Sequence, residues 1–250
     1  MSTSTFKISI VHQLSRTGGT LFAKIIGNND DIILLSEVHP SRNGQDIRRQ
    51  CIINYHIAIP KSLNTYLDCL TFLAKTRQEN IIVRDLSHRD FLHKNSKLRI
   101  TSAEVLKEHF ALNRISLARH PADQFLSMMN FKPIKQYMTF ELFCRGYVNY
   151  HNSIPSRGII RYEDFVKSPE KLIKETSRFL NINLPENTLE NFHKNKKVTG
   201  DGDEPQNISR GFPLRNITKM PKRQGFDEVC KQLRQNKQML EICKRLHYEI

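Results

Sequence analysis

The sequence predicts an α/β fold, with three layers in an α/β/α arrangement and a central, mostly parallel sheet. Short apolar runs of strand length alternate along the chain with segments of helical periodicity, which is typical of such sheets. The strand-like runs lie within residues 6–11, 80–85, 111–121 and 157–165. The 250 residues can bury a sizeable core and include no linker-like stretch in the middle, so we expect a single domain over 1–250.

The first elements are a strand, a turn and a helix. Phe6, Ile8 and Ile10 alternate with polar residues, and Val11 extends the run, which indicates a strand. The apolar residues after the turn repeat at helical spacing: Leu21, Phe22, Ile25 and Ile26. The polar turn between them, "SRTGG", therefore joins a strand to a helix.

The last third of the chain contains the clearest helix and then changes character. "SPEKLIKETSRFL" has Ser168 as a candidate N-cap and Pro169 at the first helical position. Its predicted buried face consists of Leu172, Ile173, Thr176, Phe179 and Leu180. Residues 193–225 are basic and rich in Gly, Pro and Asn, which predicts a long loop, and 226–250 have the pattern of one closing amphipathic helix.

Composition narrows the class of partner. The 39 Lys and Arg residues exceed the 25 Asp and Glu, giving a formal charge of +14, which favours anionic partners. No apolar run approaches the roughly 20 residues that span a bilayer, and no signal peptide is recognisable, so we expect a cytoplasmic protein without a membrane span. The five scattered cysteines include no C-x-x-C pair, which disfavours a disulfide framework or a zinc site.

The first turn has the chemistry of an anion site. A glycine-rich turn before a helix N-terminus presents backbone N–H groups and the positive end of the helix dipole to one point. Gly18 and Gly19 allow close approach, Thr17 and Thr20 add hydroxyls, and Arg16 adds a guanidinium suited to phosphate or sulfate. The turn matches neither G-x-x-x-x-G-K-[ST] nor G-x-G-x-x-G, and taken alone it could also be a ligand-free connection.

Two later segments bring further polar groups to the carboxyl edge of the sheet. In "LARHPADQFLS", Arg119 ends a strand, Pro121 begins a helix and Ser127 lies two turns into it. In "IIRYEDF", a strand leads to Tyr162 at the edge where open α/β sheets bind their ligands.

In their order and spacing, these three segments resemble the sulfotransferases that use 3′-phosphoadenosine 5′-phosphosulfate (PAPS). "SRTGGTL" resembles their 5′-phosphosulfate loop, "ARHPADQFLS" their 3′-phosphate segment, R-x-P-x-D-x-x-x-S, and "RYEDFVKSPEKLIKETSRFLNI" the strand and helix near the adenine. The resemblance covers about residues 6–200 and implies a P-loop-like variant of the α/β fold. The residues it implies for the phosphosulfate are Arg16, Thr17, Gly18, Gly19, Thr20 and Leu21.

The resemblance also implies contacts for the rest of the donor. Arg119 and Ser127 would bind the 3′-phosphate and Tyr162 the adenosine. The family commonly has another basic loop over the donor, for which this chain offers four residues without a firm match: Arg210, Arg215, Lys222 and Arg223.

The implied reaction moves the sulfuryl group from PAPS to an acceptor hydroxyl or amine, in line, without a metal, and leaves adenosine 3′,5′-bisphosphate. Arg16 would stabilise the leaving phosphate. For the general base we rank Glu37 first, His88 second and Asp85 third, with His39 a weaker candidate. The acceptor is not identified, and we expect residues 45–78 and 200–225 to shape its pocket.

Two other classes of protein remain open. A P-loop-like small-molecule or nucleotide kinase would share the sheet and the anion turn, but it should carry the missing Lys and a magnesium-binding carboxylate. A non-enzymatic nucleic-acid-binding protein would explain the charge, yet the basic residues are dispersed and form no stripe interleaved with aromatic residues. We therefore expect a nucleotide donor and no nucleic acid as partner.

Overall fold

A computed structural model describes residues 6–155, 157–199 and 216–250. Within these ranges five strands form one parallel sheet in the order β2-β3-β1-β4-β5. The strands are β1 (Lys7–Gln13), β2 (Ile32–Val38), β3 (Asn80–Asp85), β4 (Ala111–Ala118) and β5 (Ile159–Arg161). The predicted parallel sheet is confirmed.

Helices connect the strands. Those in the first half are α1 (Gly19–Ile26), α2 (Gln45–Tyr55), α3 (Tyr66–Thr76), α4 (His88–Phe91) and α5 (Thr101–Leu106). Those after β4 are α6 (Pro121–Met129), α7 (Lys132–Lys135), α8 (Phe140–Ser153), α9 (Tyr162–Lys167), α10 (Pro169–Leu180), α11 (Thr188–Asn191), α12 (Phe226–Arg234) and α13 (Lys237–Arg245). Among the described residues, no helix is both long and apolar enough to cross a membrane.

Three details differ from the sequence predictions. The closing segment is two helices rather than one, because the Asn236 side chain accepts a hydrogen bond from the Met239 N–H and begins α13 anew. Helix α10 has the predicted bounds, but the Ser168 side chain makes no capping hydrogen bond. Phe179 is 43% exposed, so it does not belong to the buried face of that helix.

Apolar side chains cover both faces of the sheet. On one face Ile10, Leu35 and Val83 pack with residues of α2, α3 and α5. On the other face Leu34 and Ile82 pack with residues of α1 and α10. A further cluster joins α6, α8, α12 and α13 beside the ends of β1 and β4. This confirms the three-layer α/β arrangement. All five cysteines are buried and none forms a disulfide.

The strand order places a crevice at the carboxyl ends of β1 and β4. The chain leaves β1 through α1 toward β2 on one side of the sheet, whereas β4 leads to β5 on the other side. The turns after these two neighbouring strands therefore diverge, and such switch points are where open α/β sheets bind ligands. The three segments around Arg16, Arg119 and Tyr162 follow β1, β4 and β5, so all of them lie at the carboxyl edge of the sheet.

Candidate active site

The turn after β1 is shaped by two glycines. Gly18 has a left-handed conformation (φ 91°), and a Cβ there would lie 2.5 Å from Cδ2 of the Tyr162 ring. A Cβ on Gly19 would collide with the side-chain amide of Gln13. Because α1 begins at Gly19, the N–H groups of its first turn have no partner within the helix and are donors at this turn. The structure thus gives the predicted anion turn a tyrosine ring as one wall.

Arg16 is fixed over this turn in an unusual backbone conformation. Its φ is 69°, a region that costs a non-glycine residue about 1–3 kcal/mol. Its Nε donates to Ser127 Oγ at 3.1 Å, and its guanidinium lies 5.4 Å from the centroid of the Phe131 ring. These side-chain contacts hold a cation beside the anion turn.

The other predicted residues of the turn differ in what they offer. The Thr17 hydroxyl is buried and donates to the Leu14 carbonyl at 2.9 Å, so it closes the turn. Thr20 is half-buried, and its hydroxyl accepts from Arg84 Nη1 at 3.5 Å. The Leu21 side chain is buried in the core, which leaves its backbone N–H as the group available to a ligand.

Arg119 connects three of the predicted segments. Its Nη1 donates to the Arg16 carbonyl at 3.0 Å, its Nε donates to Asp123 Oδ2 at 2.7 Å, and its guanidinium lies 4.5 Å from the centroid of the Tyr162 ring. Tyr162 is the first residue of α9, directly after β5. The guanidinium is therefore fixed between the anion turn and the predicted adenosine residue.

The basic loop reaches the same place. Arg223 forms an ion pair with Asp123, the carboxylate that also holds Arg119. Lys222 lies instead over the Phe226 ring, 4.7 Å from its centroid. Arg210 and Arg215, the other two candidates that the sequence offers in this loop, lie outside the described residues. Asp123 was not among the predicted site residues, although it is the carboxylate in R-x-P-x-D-x-x-x-S.

Glu37 projects from an irregularity in β2. The pairing with β3 shifts register between Ser36 and Val38, and Glu37 itself has φ 56°. A bulge of this kind re-aims a side chain, and here the Glu37 carboxylate meets Arg84. Glu37 pairs with Arg84, and its side chain remains 37% exposed. A carboxylate in contact with solvent thus stands beside the anion turn.

Arg84 links the turn to Glu37. The guanidinium is fully buried at the end of β3, and it reaches Thr20, Glu37 and the Thr199 hydroxyl, the last at 3.3 Å from Nη2. Burial alone would raise the pKa of Glu37, but the charge of Arg84 and a hydrogen bond with Thr199 outweigh it and hold that pKa below its ordinary value. Glu37 is therefore ionised at neutral pH.

His88 begins α4 next to Glu37. Val38 is the strand partner of Asp85, and Leu86 N donates to the Val38 carbonyl at 3.3 Å, so the two chains leave the sheet side by side. Burial lowers the pKa of His88 to about 4, against the opposing charge of Glu37. The imidazole is therefore neutral at pH 7.

Asp85 and His39 lie deeper. Asp85 has no exposed surface and accepts hydrogen bonds from Ser87 Oγ at 2.8 Å and from His12 Nδ1 at 3.2 Å. His39 is buried, with Nε2 3.3 Å from Asp90 Oδ1. Both side chains are thus almost completely buried, whereas those of Glu37 and His88 are partly exposed.

The comparisons with known proteins agree with this geometry at the level of the fold. No protein-family model matches the chain, and no curated protein matches it in sequence. Solved structures do match over nearly the whole chain. The sulfotransferase domain from the curacin biosynthetic pathway matches with a TM-score of 0.67 and 14% identity, over 99% of this chain and 100% of that one.

Two further sulfotransferase structures also match. The sulfotransferase domain of the Synechococcus PCC 7002 olefin synthase has a TM-score of 0.67 and 13% identity, over 99% of this chain and 97% of that one. A sulfotransferase from Alicyclobacillus acidocaldarius has a TM-score of 0.50 and 10% identity, over 97% and 96%. The chain therefore has the sulfotransferase fold, as its resemblance implied.

Proposed function

We propose that the protein is a sulfotransferase that moves the sulfuryl group of PAPS to an acceptor hydroxyl. The observation that carries the proposal is the convergence on Arg119. This one guanidinium contacts the carbonyl of Arg16, the carboxylate of Asp123 and the ring of Tyr162, from three segments far apart in sequence. An anion turn, a second cationic site and an aromatic ring in one crevice fit a nucleotide with phosphates at two positions.

The donor contacts follow from these positions. The N–H groups at the start of α1 and the Arg16 side chain would hold the phosphosulfate. Arg119 and Ser127 would bind the 3′-phosphate, and Tyr162 would face the adenine. Arg119 and Arg223 share the single carboxylate of Asp123, so this trio carries one net positive charge that a phosphate would balance. We therefore add Arg223 to the proposed donor site.

Sulfuryl transfer depends mainly on positioning the two substrates in line and on stabilising the negative charge of the leaving phosphate. A bond forms between the acceptor oxygen and sulfur while the bond from sulfur to the bridging phosphate oxygen breaks, and its electron pair stays on the phosphate. Arg16 and the N-terminus of α1 would stabilise the charge that develops there. The acceptor hydroxyl must lose its proton to a base, which lies on the side of the sulfur opposite the leaving phosphate.

Glu37 is the base that we propose. Its carboxylate is ionised, partly exposed and tied through Arg84 to Thr20 of the anion turn. His88 is the second candidate because its neutral imidazole lies beside Glu37. We give Asp85 no direct role, because its carboxylate is buried and held by His12 and Ser87.

Retention of labelled nucleotides tests this proposal against a kinase. The protein is mixed with radiolabelled PAPS or radiolabelled ATP, with magnesium or with chelator, and the bound label is measured. We expect PAPS to be retained in both conditions and ATP to be retained poorly. Retention of ATP in the presence of magnesium, without retention of PAPS, would contradict the proposal. The Arg119→Ala variant is the control and should lose most PAPS retention.

A further inference from the structure

A row of rings runs outward from the proposed catalytic residues. His88, next to Glu37, has its ring centroid 6.3 Å from that of His93. His93 in turn stacks on Tyr137, with centroids 5.2 Å apart and ring planes 16° from parallel. Two more rings flank helix α7. Phe131 precedes the helix and contacts the Arg16 guanidinium, and Tyr137 follows it. The α4 and α7 segments therefore form two walls that meet at the His93–Tyr137 pair.

The row changes from buried to open along its length. His88 and Phe131 are half-buried at its inner end, beside Glu37 and Arg16. His93 is exposed at the outer end, and Tyr137 is 38% exposed. Planar rings open to solvent at one end and adjacent to a base at the other suit a planar ligand that inserts its hydroxyl first.

The outer end of the row is cationic. Arg89, Lys94, Lys132 and Lys135 are exposed around it, and none of them forms an ion pair within the described ranges. Residues 92–99 and 131–139 contain no Asp or Glu. Arg145 donates to the carbonyls of His93 and Lys94, at 3.0 and 3.1 Å, which fixes the α4 wall in place. A negative group on a ligand would thus meet uncompensated positive charge here.

We propose that the aromatic row, formed by His88, His93, Phe131 and Tyr137, is the acceptor pocket. Its acceptor is a planar-ring hydroxyl compound that carries an anionic group at the end opposite the hydroxyl. This inference rests on the proposed sulfotransferase function. It assigns acceptor recognition to the α4 and α7 segments, whereas the sequence predicted residues 45–78 and 200–225, of which 200–215 lie outside the described residues.

Four simple acceptors distinguish the contribution of the acceptor's ring from that of its charge. They are para-hydroxyphenylacetate, an anionic phenol; para-cresol, a neutral phenol; tyramine, a cationic phenol; and hydroxybutyrate, an anionic alcohol without a ring. We expect kcat/KM to be highest for para-hydroxyphenylacetate, about tenfold lower for para-cresol and lower again for tyramine and hydroxybutyrate. Equal or faster transfer to tyramine or hydroxybutyrate would overturn the proposed acceptor class.

Variants on the two walls locate the pocket. Tyr137→Ala should raise KM for para-hydroxyphenylacetate by about three- to tenfold and leave kcat nearly unchanged, because an aromatic contact contributes to binding. Phe179→Ala, at a similarly exposed aromatic residue on α10, is the matched control and should change neither value. Lys132→Gln with Lys135→Gln should raise KM for the anionic phenol but not for para-cresol. Lys171→Gln with Lys174→Gln is the matched control on α10.

Calorimetry with adenosine 3′,5′-bisphosphate distinguishes the two possible failures. Every variant should bind this nucleotide like the unaltered protein, since the substitutions lie outside the donor residues. If the unaltered protein does not bind it, the sulfotransferase proposal fails. If it binds the nucleotide but the wall variants behave like their controls, or no probe is sulfated, the acceptor-pocket inference alone is wrong.

Discussion

The proposed donor half and the proposed acceptor half of the crevice are built differently. In the proposed donor half, Arg119, Ser127 and Thr17 are almost completely buried, and each takes part in a side-chain hydrogen bond within the protein. In the acceptor half, His93 and Tyr137 are exposed and the surrounding cations have no ion-pair partners among the described residues. One half is preorganised and the other is open.

This difference indicates how specificity is divided. A preorganised pocket loses little conformational entropy on binding and accepts one ligand shape, which suits a nucleotide common to many acceptors. The open, charged region on the α4 and α7 segments consists of short helices and loops, where residues can be substituted without disturbing the sheet. Substitutions should therefore divide into those that affect donor affinity and those that affect only turnover or acceptor binding.

The largest effect should come from Glu37→Gln. Glutamine keeps the size of the side chain but cannot take the acceptor proton, so turnover should fall by about 10²- to 10⁴-fold. Affinity for the bisphosphate should survive, because Glu37 is proposed to act on the acceptor and not to bind the donor. Steady-state kinetics and calorimetry check both statements. His88→Asn is the parallel variant; if it abolishes turnover while Glu37→Gln leaves it near normal, histidine is the base.

Arg119→Ala should give the next largest effect, on donor affinity alone. Charged hydrogen bonds contribute about 1.5–3 kcal/mol, which corresponds to about one to two orders of magnitude in Kd. The loss should appear for adenosine 3′,5′-bisphosphate and be small for adenosine 5′-monophosphate, which lacks the 3′-phosphate. Measuring both nucleotides on one variant controls for folding. Equal losses for the two nucleotides would remove Arg119 from the 3′-phosphate site.

A pair of glycine variants distinguishes the effect of backbone strain on stability from the effect of the turn on nucleotide binding. Gly18→Ala adds a Cβ at φ 91° against the Tyr162 ring, whereas Gly158→Ala adds one at φ 82° near the Arg114 carbonyl, before β5 and away from the crevice. Both should lower the free energy of unfolding by about 1–3 kcal/mol. Gly18→Ala should also weaken bisphosphate binding by about tenfold, as displacement of the ring disturbs the pocket. Equal binding by the two folded variants would contradict a role for this turn.

The smallest expected effect is a flat pH profile. The pKa of Glu37 lies below its ordinary value of about 4.3, and burial lowers that of His88 to about 4. Both groups therefore lack a proton throughout pH 5.5–8, and kcat/KM should change little there, then fall as acid protonates the base. A fall centred near 6.5 would indicate a histidine base with an ordinary pKa.

Parts of this site could be predicted from the sequence, because some backbone conformations there require glycine or favour proline. The turn at Gly18 needs glycine for its positive φ and for the ring beside it, and Pro121 marks the start of α6. These local requirements leave a pattern in the sequence. They also explain why the turn before α1 and the start of α6 could be predicted from the sequence.

Other parts depend on long-range contacts that leave no local pattern. The bulge that turns Glu37 outward arises from its pairing with β3, and Arg84 reads in sequence only as a charged residue in an apolar strand. The stack of His93 on Tyr137 joins residues 44 positions apart, and the ion pair of Arg223 with Asp123 joins residues 100 apart. The break between α12 and α13 was missed although Asn236 is a good cap, because the apolar spacing continues across it.

The central claim is that the crevice between β1 and β4 binds a nucleotide with phosphates at both the 3′ and 5′ positions. Calorimetric titration of the protein with adenosine 3′,5′-bisphosphate, in magnesium and again in chelator, tests it most directly. The account predicts one site per chain with a Kd in the micromolar range or tighter, about −8 kcal/mol or more favourable, and equal in both buffers. No binding at millimolar nucleotide, or binding that requires magnesium, would contradict it.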